Sequence, residues 1–320
     1  MDFSLRRLLK KVLSESFPEL SACQGQLNSV SEQLAQLKIL AAQPIVHEVR
    51  RQTQAVPLTK MEFKVFSQFG DDGIIQYVTN RLNLTASEQR FVEFGVEDYR
   101  ESNTRFLLLN DNWSGLIMDG SEDQVALIQR DPIYWRHDLT ALARFVTREN
   151  INSLLCEGGF SGRIGILSID VDGNDYWIWE AINVVDPALV IIEYNGIFGD
   201  REAVTIPYKA DFVRQQAHYS YLYWGTSLPA LCHLAVQKGY IWIGCNSAGN
   251  NAYFVRADHA SQFYQPSLPI DFVPAKFREG RNRQGSLSYI GQRDGFELIK
   301  DLLVWDVSTN EMRAIASLVR

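Results

Sequence analysis

Acidic and amide side chains follow two apolar segments near the middle of the chain. Asp170 and Asp172 come directly after the apolar run 164–169, and Glu193 and Asn195 follow the next such run. Short apolar runs that end in polar turn residues are typical of buried parallel strands. Because ligands bind outside the carboxyl ends of such strands, these side chains predict a ligand site shared by two strand ends.

A second group of residues that could do chemistry lies upstream. Glu93 and Gly95 end an apolar segment, and Asp119 ends the following one. In nucleotide-binding folds a first strand is followed by a glycine turn, a helix and a second strand. An acidic residue at the end of that second strand holds the ribose of the cofactor. A turn residue before Gly120 is the alternative for Asp119, and a carboxylate paired with a neighbour is the alternative for Glu93. The cofactor interpretation is favoured for Glu93 because a carboxylate in a buried strand is costly without a dedicated partner.

The elements that must position these residues alternate along the chain. Apolar segments with the pattern of strands are separated by helical patterns, and the third strand is expected to end in Asp138. Such alternation predicts a parallel, doubly wound α/β sheet of the Rossmann type. Two further segments, 239–245 and 252–256, are joined by the turn 246–251 and predict a terminal antiparallel hairpin.

The N-terminal part of the chain has a different pattern. We expect residues 1–57 to form a helical extension and linker, residues 58–258 the α/β domain, and residues 259–320 a C-terminal extension packed on that domain. In the first segment apolar residues alternate at spacings of three and four: Leu20, Cys23, Leu27, Val30, Leu34 and Leu37. This heptad seam predicts either a coiled coil that joins copies of the chain through residues 20–40 or a single helix packed on the domain.

The bulk composition limits the partners of the chain. With 320 residues, 46% of them hydrophobic, and a net charge of −7, the chain is expected to have a full core and not to bind nucleic acid or an anionic membrane. Four widely spaced cysteines argue against a disulfide framework or a zinc site and favour a reducing, cytoplasmic location. No apolar run is long enough to span a bilayer, although the basic, leucine-containing segment 3–13 allows weak contact with a membrane surface.

Several motifs taken together resemble the FkbM-type methyltransferases. They are Phe91-Val92-Glu93-Phe94-Gly95 with Ser102-Asn103-Thr104, then Gly115-Leu116-Ile117-Met118-Asp119, then Leu167-Ser168-Ile169-Asp170-Val171-Asp172-Gly173. The stretch from Ser67-Gln68 to Gly70-Asp71 adds to the resemblance, which covers residues 63–257. These enzymes belong to the class I S-adenosylmethionine-dependent methyltransferases, whose sheet ends in an antiparallel hairpin. The sequence departs from most of that class at Glu97-Asp98-Tyr99-Arg100, where a more glycine-rich loop is usual.

The resemblance implies a function and a set of cofactor-binding residues. The chain is expected to transfer a methyl group from S-adenosylmethionine to a hydroxyl group of a sugar, glycan or other small acceptor. Glu93 and Gly95 are expected at the methionine and ribose end of the cofactor, Asp119 at the ribose hydroxyls and Asp138 at the adenine. The remaining expected cofactor contacts are Gln68, Asn103 and Asp170.

Metal assistance is also implied by the resemblance. Several methyltransferases of this class hold a divalent metal with an Asp after the fourth strand and an acid–Asn pair after the fifth. The corresponding residues here are Asp170 or Asp172, with Glu193 and Asn195. Oxygen ligands suit Mg²⁺, and such an ion would acidify an acceptor hydroxyl. A turn followed by a helix N-cap is the alternative for Asp172-Gly173-Asn174-Asp175.

The aromatic, irregular segment 196–225 is expected to cover the acceptor, because long loops in compact domains are usually functional. His218 lies in this segment, and the ordinary pKa of histidine suits proton removal near neutral pH. His218 is therefore predicted, together with Asp172, to take part in catalysis. A surface histidine is the alternative.

Other functions are compatible with parts of the sequence. Asp170-Val171-Asp172 matches the DxD element with which many glycosyltransferases bind a metal and a nucleotide diphosphate, but it does not account for Asp119 or the terminal hairpin. An oligomeric scaffold whose function resides in the heptad seam is the non-enzymatic alternative. A dinucleotide oxidoreductase is disfavoured because no GxGxxG follows the first strand.

Overall fold

The computed structural model describes residues 18–276 and 278–319, and the chain divides after His47 into two compact units. The first unit contains most of helix α1 (Pro18–Arg50), which continues through Pro44. The sequence predicts a linker between Pro44 and Pro57, whereas the helix ends only at Arg50. A proline removes one helical hydrogen bond, and in a helix of 33 residues the remaining bonds carry the chain past it.

The described part of the heptad seam lies on α1. The side chains of Leu27, Val30, Leu34 and Leu37 are between 54% and 61% exposed in a single copy of the chain. Cys23 is also exposed. The side chain of Leu20 and the predicted membrane-contact segment 3–13 lie outside the described residues.

The second unit contains the strands and the other helices. In chain order the strands are β1 (Arg90–Phe94), β2 (Ser114–Asp119), β3 (Leu139–Ala143), β4 (Gly162–Ile169), β5 (Val185–Glu193), β6 (Val204–Thr205), β7 (Tyr240–Cys245), β8 (Asn251–Arg256), β9 (Leu303–Asp306) and β10 (Glu311–Ala314). The α-helices are α2 (Asp71–Leu82), α3 (Arg105–Asp111), α4 (Glu122–Ile128), α5 (Pro132–Arg136), α6 (Ile151–Glu157), α7 (Asp175–Ala181), α8 (Arg214–Ala217), α9 (Leu228–Gln237) and α10 (Gln292–Ile299). Short 3₁₀ helices cover Leu58–Lys60, Gly196–Phe198, Ala257–Gln262 and Ile315–Ser317.

Seven of these strands form one sheet in the order β3-β2-β1-β4-β5-β8-β7. Strands β1 to β5 are parallel, and β8 and β7 add to β5 as an antiparallel hairpin. The predicted Rossmann-like sheet with a terminal antiparallel hairpin is therefore confirmed. The strand order reverses between β1 and β4, and the crevice at such a reversal is where open α/β sheets bind their ligands.

Apolar layers cover both faces of the sheet, which explains why apolar and polar residues do not alternate along its central strands. Val92 and Leu167 belong to the core on one face, whereas Phe91 and Ile166 belong to the core on the other. A strand covered on both faces must be apolar at successive positions. The continuous apolar runs that predicted the strands are a direct consequence of this burial.

A smaller sheet joins the C-terminal extension to the aromatic segment 196–225. It has the antiparallel order β10-β9-β6, in which Val204 and Thr205 pair with Asp306 and Trp305. Side chains from both parts form a third hydrophobic cluster, which includes Phe198, Trp224, Phe296, Ile299 and Val304. The segment 196–225 is thus fixed by its partners and is not a free loop.

One strand boundary differs from the prediction. Asp138 was expected at the carboxyl end of β3, but β3 begins at Leu139, so Asp138 lies at its amino end. Its backbone carbonyl there accepts a hydrogen bond from the N–H of Gly115 at 2.9 Å. The prediction was wrong because residues that the apolar pattern assigned to the strand belong to the helix α5, whose N-cap is Asp131.

In the described ranges no helix combines the length and the apolar character that crossing a bilayer requires.

Candidate active site

A cavity of about 420 Å³ lies at the carboxyl edge of the large sheet, where the strand order reverses. Eight of the residues predicted from the sequence line it: Gln68, Glu93, Gly95, Asn103, Asp119, Asp170, Asp172 and Glu193. Other lining residues include Met118, Arg144, Phe145, Val146, Phe212, Arg214, Asn250 and Glu279. A cavity of this size suits a cofactor or another small ligand.

Gly95 forms a tight turn directly after β1. Its φ of +70° lies in the left-handed region that favours glycine. A Cβ atom at this position would lie 1.7 Å from the backbone carbonyl oxygen of Asp170, so a larger residue would push the ends of β1 and β4 apart. The loop that follows contains Glu97 and Tyr99 at φ values of 47° and 60°, which serve here in place of further glycines.

Asp119 ends β2 beside this turn. One carboxylate oxygen accepts a hydrogen bond from the backbone N–H of Glu97 at 2.9 Å, and the other accepts from that of Ser121 at 2.8 Å. An ionised carboxylate has about four acceptor positions. Acceptor capacity therefore remains at a side chain that lines the cavity, as binding of a ribose diol requires.

Glu93 also lines the cavity, but its carboxylate is occupied by the protein. Its oxygens accept hydrogen bonds from the Ser102 hydroxyl at 2.6 Å, the Asn103 backbone N–H at 2.9 Å and the Thr104 backbone N–H at 3.1 Å. Burial raises the pKa of Glu93, and these hydrogen bonds oppose the shift. The dedicated partner that a buried strand carboxylate needs is thus the segment before α3, so Glu93 orders this part of the cavity wall.

Gln68 reaches the cavity from a loop that a buried carboxylate holds in place. Oδ2 of Asp72 accepts hydrogen bonds from the backbone N–H groups of Val65, Phe66 and Ser67 at 2.7–2.8 Å. The loop is therefore wrapped around the first turn of α2. The position of Gln68 follows directly from this anchor.

Three carboxylates converge in the same cavity. Asp170, Asp172 and Glu193 each offer an oxygen within 4.8 Å of the others. Glu193 is only 7% exposed. In the part of the chain that the structure describes, no hydrogen-bond donor reaches the carboxylate of Asp170 or Glu193. A half-buried and a buried carboxylate this close together are costly unless a proton or a cation joins them.

The electrostatics of the pair follow from this burial. Desolvation raises the pKa of Asp170 well above its ordinary range, and the nearby carboxylates, Asp172 foremost, raise it further. Desolvation likewise raises the pKa of Glu193, and the charge of Asp170 adds to the shift. Arg214 acts in the opposite direction on both groups. The pair is therefore set to hold a proton or to exchange it for a divalent cation.

Arg214 is a site residue that the sequence analysis missed. Its guanidinium donates to Asp172 at 2.7 Å, to Glu279 and to the backbone carbonyl of Tyr221 at 2.8 Å, and it lies 4.5 Å from the ring centroid of Trp224. The side chain of Arg214 is 9% exposed. No sequence signal links Arg214 to Asp172, because 42 positions separate them.

Asn195 and His218 do not line the cavity. The Asn195 side chain accepts from the Ile197 N–H at 3.1 Å and donates to the carbonyls of Leu222 and Trp224. All of its hydrogen bonds therefore fix the segment 196–225, and it is not placed as a metal ligand. His218 instead lies against Tyr219, with ring centroids 4.3 Å apart, and is not placed as a base for a reaction in the cavity.

The aromatic residues of the segment 196–225 have mainly a packing role. Phe198 and Trp224 are buried in the third hydrophobic cluster. Phe212 is the aromatic side chain of this segment that lines the cavity, where it packs closely against Gly173. The cover expected from this segment is thus narrower than predicted and consists of Phe212 and Arg214.

Comparison with known proteins found solved structures of low similarity to this chain. No family model and no curated protein matches the sequence. The N-terminal domain of EvdMO1, solved with S-adenosylhomocysteine, is 13% identical and has a TM-score of 0.38; the match covers 67% of this chain and 94% of that one. An O-methyltransferase from Bacillus cereus, in complex with S-adenosylhomocysteine, is 9% identical with a TM-score of 0.34, over 68% and 88% of the two chains. An O-methyltransferase family protein from Burkholderia thailandensis is 10% identical with a TM-score of 0.35, over 70% of each chain. At identities and TM-scores this low, functional conclusions must come from the residues of this chain.

Proposed function

We propose that this chain is an S-adenosylmethionine-dependent methyltransferase that acts on a hydroxyl group of a sugar or another small acceptor. The observation that supports this most directly is the placement of Gly95 and Asp119 together at the strand-order reversal. A glycine turn after the first strand, with an acid at the end of the second, is the way sheets of this type hold a nucleoside. Asp119 would bind the ribose hydroxyls.

The adenine would lie beyond Asp119, against residues at the end of β2 and after β3. Met118, Phe145 and Val146 line this part of the cavity and offer apolar surface to a planar ring. They take the place of Asp138, which lies at the opposite edge of the sheet. The flat face of Phe145 suits the stacking of an aromatic base.

The acceptor hydroxyl would lie at Asp170 and Glu193. Transfer breaks the bond between sulfur and the methyl carbon, forms a bond from the acceptor oxygen to that carbon, and releases the hydroxyl proton. A carboxylate whose pKa is raised above its ordinary range is a stronger base and a suitable proton acceptor. The raised pKa of Glu193 and its lack of a donor support it in this role.

Magnesium is compatible with the same residues. Asp170 and Glu193 offer unoccupied carboxylate oxygens, whereas Asp172 is shared with Arg214 and Asn195 is turned away. Two carboxylates with bound waters are a common coordination set for Mg²⁺. When bound, the ion would acidify the acceptor hydroxyl.

The first test is cofactor binding by calorimetry. We expect the chain to bind S-adenosylmethionine and S-adenosylhomocysteine, and not to bind a UDP-sugar in the presence of Mn²⁺. Binding of the UDP-sugar alone would instead support a glycosyltransferase that uses Asp170-Val171-Asp172. Binding of neither ligand would favour a scaffold.

The Asp119→Ala variant tests the pose of the cofactor. We expect it to weaken S-adenosylmethionine binding by about 1–3 kcal/mol, because hydrogen bonds to a charged group are lost. Asp131→Ala is the matched control, since the Asp131 carboxylate also accepts a backbone hydrogen bond but does not line the cavity. Equal affinities of the folded Asp119→Ala variant and the wild type would remove Asp119 from the ribose.

A further inference from the structure

In the segment 278–289 of the C-terminal extension, three arginines lack a carboxylate partner. Arg278, Arg281 and Arg283 lie in the segment 278–289, and within the described residues none of them forms an ion pair. Glu279 is the acid of this segment, and it is bound to Arg214. In a chain with a net charge of −7, this segment is a local concentration of unneutralised positive charge.

Two of these arginines are stacked on tyrosines. The guanidinium carbon of Arg281 lies 5.9 Å from the ring centroid of Tyr221, and that of Arg283 lies 4.6 Å from the ring centroid of Tyr219. The backbone N–H of Arg281 donates to the Ser220 carbonyl at 3.0 Å, which joins the two segments. Stacking holds a guanidinium plane in place and leaves the N–H groups at its edge available.

The guanidinium N–H groups of Arg281 and Arg283 have no hydrogen-bond acceptor within the described residues. The turn that carries them is nevertheless ordered, because Oδ1 of Asn282 accepts from the backbone N–H groups of Gln284 and Ser286, each at 3.0 Å. Arg281 and Arg283 are thus held in position with unused hydrogen-bonding capacity. Planar arrays of this kind bind carboxylate and phosphate oxygens with paired hydrogen bonds.

His218 supplies a further donor beside the pair. Its Nδ1 lies 2.7 Å from the Ser220 hydroxyl and accepts from the Ser220 backbone N–H at 3.3 Å, and with Nδ1 as acceptor the neutral ring carries its proton on Nε2. Burial and then the charge of Arg283 lower the pKa of His218, which keeps the ring neutral at physiological pH. The imidazole is therefore a hydrogen-bond donor next to Arg283.

The stacked arginines do not line the cavity, but they are joined to residues that do. Glu279, two residues before Arg281 in the sequence, lines it. Arg214 also lines it, and its Nε donates to the backbone carbonyl of Tyr221, whose ring supports Arg281. A ligand that extends from the cavity past Arg214 would therefore meet the free guanidinium edges.

We propose that Arg281 and Arg283, with His218, bind a phosphate group carried by the methyl acceptor. The acceptor class is then a phosphorylated sugar or a comparable small phosphate ester, whose hydroxyl lies at Asp170 and Glu193. The identity of the acceptor rests on the proposed methyltransferase function, whereas the anion site itself does not. The charges agree with placing the hydroxyl and the phosphate of the acceptor at different positions. The carboxylates of the cavity would repel a phosphate, whereas Arg281 and Arg283 would attract one.

A small anion fits this surface better than a nucleic acid does. Nucleic-acid binding surfaces present basic residues along an extended face. Here the two arginines that stack on tyrosines lie two residues apart in one turn, and carboxylates line the nearby cavity.

The test is calorimetry on the full chain saturated with S-adenosylhomocysteine, at low salt. The probes are inorganic phosphate and glucose 6-phosphate, with glucose as the uncharged match. The Arg281→Ala/Arg283→Ala variant is expected to lose at least about tenfold in affinity for both phosphates, since each guanidinium contributes a charge-assisted hydrogen bond. Arg281→Lys/Arg283→Lys keeps the charge but not the planar donors, and an intermediate loss is expected.

Arg130→Ala is the matched control, because Arg130 is exposed after α4 and, within the described residues, forms no ion pair. It should leave phosphate affinity unchanged, and neither variant should change the affinity for S-adenosylhomocysteine. Absence of phosphate binding by the wild type, or an equal loss in Arg130→Ala, would overturn the anion site. So would tighter, steeply salt-dependent binding of a homopolymeric RNA that the double variant abolishes. Phosphate binding without S-adenosylhomocysteine binding would instead overturn the proposed function and leave the anion site standing.

Discussion

The carboxylates of Asp170 and Glu193 determine the electrostatic character of the cavity. Both are free of hydrogen-bond donors from the described residues, and the pKa of each is raised mainly by burial. In each case the protonated form is favoured in the folded protein over the unfolded chain. The contribution to stability is then fully present below the ordinary pKa and is lost as the pH rises through the folded pKa.

A pH dependence of stability follows. In EDTA, the free energy of unfolding of the wild type, measured with urea, should fall as the pH rises above the ordinary pKa values of Asp and Glu. Glu193→Gln keeps a neutral side chain and should show a smaller fall, whereas Glu311→Gln, an exposed control, should match the wild type. If Asp170 and Glu193 bind Mg²⁺, adding the ion at pH 8 should restore stability to the wild type and not to Glu193→Gln. Equal slopes for wild type and Glu193→Gln would contradict the coupling.

Arg214 holds the carboxylate of Asp172, so we propose that it would compete with a metal ion for that ligand. Its guanidinium is held by Asp172 and Glu279 and lowers the pKa of both Asp170 and Glu193. Arg214→Ala should therefore tighten Mn²⁺ binding by about tenfold, since it removes a positive charge and frees a ligand. Arg214→Lys keeps the charge without the planar geometry and should show a smaller gain. Unchanged Mn²⁺ affinity in both folded variants would contradict the competition.

At the scale of elements, the first turn of α2 connects the fold to the site. Oδ1 of Asp71 accepts from the side-chain amides of Asn246 and Asn251 at 2.9 and 3.0 Å, and so fixes the hairpin turn. Asp72 fixes the loop that carries Gln68. Carboxylates at this position are also favoured by the helix dipole. Two adjacent acids thus anchor two different cavity walls to one helix.

Asp72→Ala should lower the free energy of unfolding by about 3 kcal/mol, because buried backbone N–H groups lose their acceptor. The same variant should weaken S-adenosylmethionine binding through the displaced Gln68. Urea denaturation and calorimetry measure the two effects. Asp301→Ala, at an exposed position, should change stability by less than about 0.5 kcal/mol. A small effect of Asp72→Ala would mean that the loop is held by other contacts.

At the scale of the whole molecule, the exposed seam on α1 bears on assembly. We propose that Leu27, Val30, Leu34 and Leu37 pair with the same residues of a second copy, because heptad spacing matches one helix to another. In the full chain, Leu34→Glu/Leu37→Glu should then lower the mass measured by light scattering.

The matched control adds the same charges off the seam, as Ser29→Glu/Gln36→Glu. Both positions are exposed on α1 and lie between seam residues. The control should keep the mass of the wild type. Equal masses for all three proteins would mean that the seam does not join copies of the chain.

The sequence by itself determined the sheet and the position of its ligand edge. Apolar runs identify strands that are buried on both faces, and the carboxyl ends of parallel strands must share one edge of the sheet. Gly95, Asp119, Asp170 and Glu193 could therefore be assigned to one cavity from local patterns alone. Asp138 was misplaced because the boundary between α5 and β3 depends on which element takes up a few residues with ambiguous propensity.

Only the tertiary structure decided how each polar group is satisfied. Asp172 pairs with Arg214 and Glu93 with the segment before α3, whereas Asp170 and Glu193 receive no donor from the described residues. These outcomes depend on contacts between segments far apart in the chain, and residue type gives no information about them. The same holds for Arg281 and Arg283, whose stacking on Tyr221 and Tyr219 exists only because the C-terminal extension folds back onto the aromatic segment. These hydrogen bonds and ion pairs join residues that are distant in the sequence, so only the tertiary structure determines which partner each polar group has.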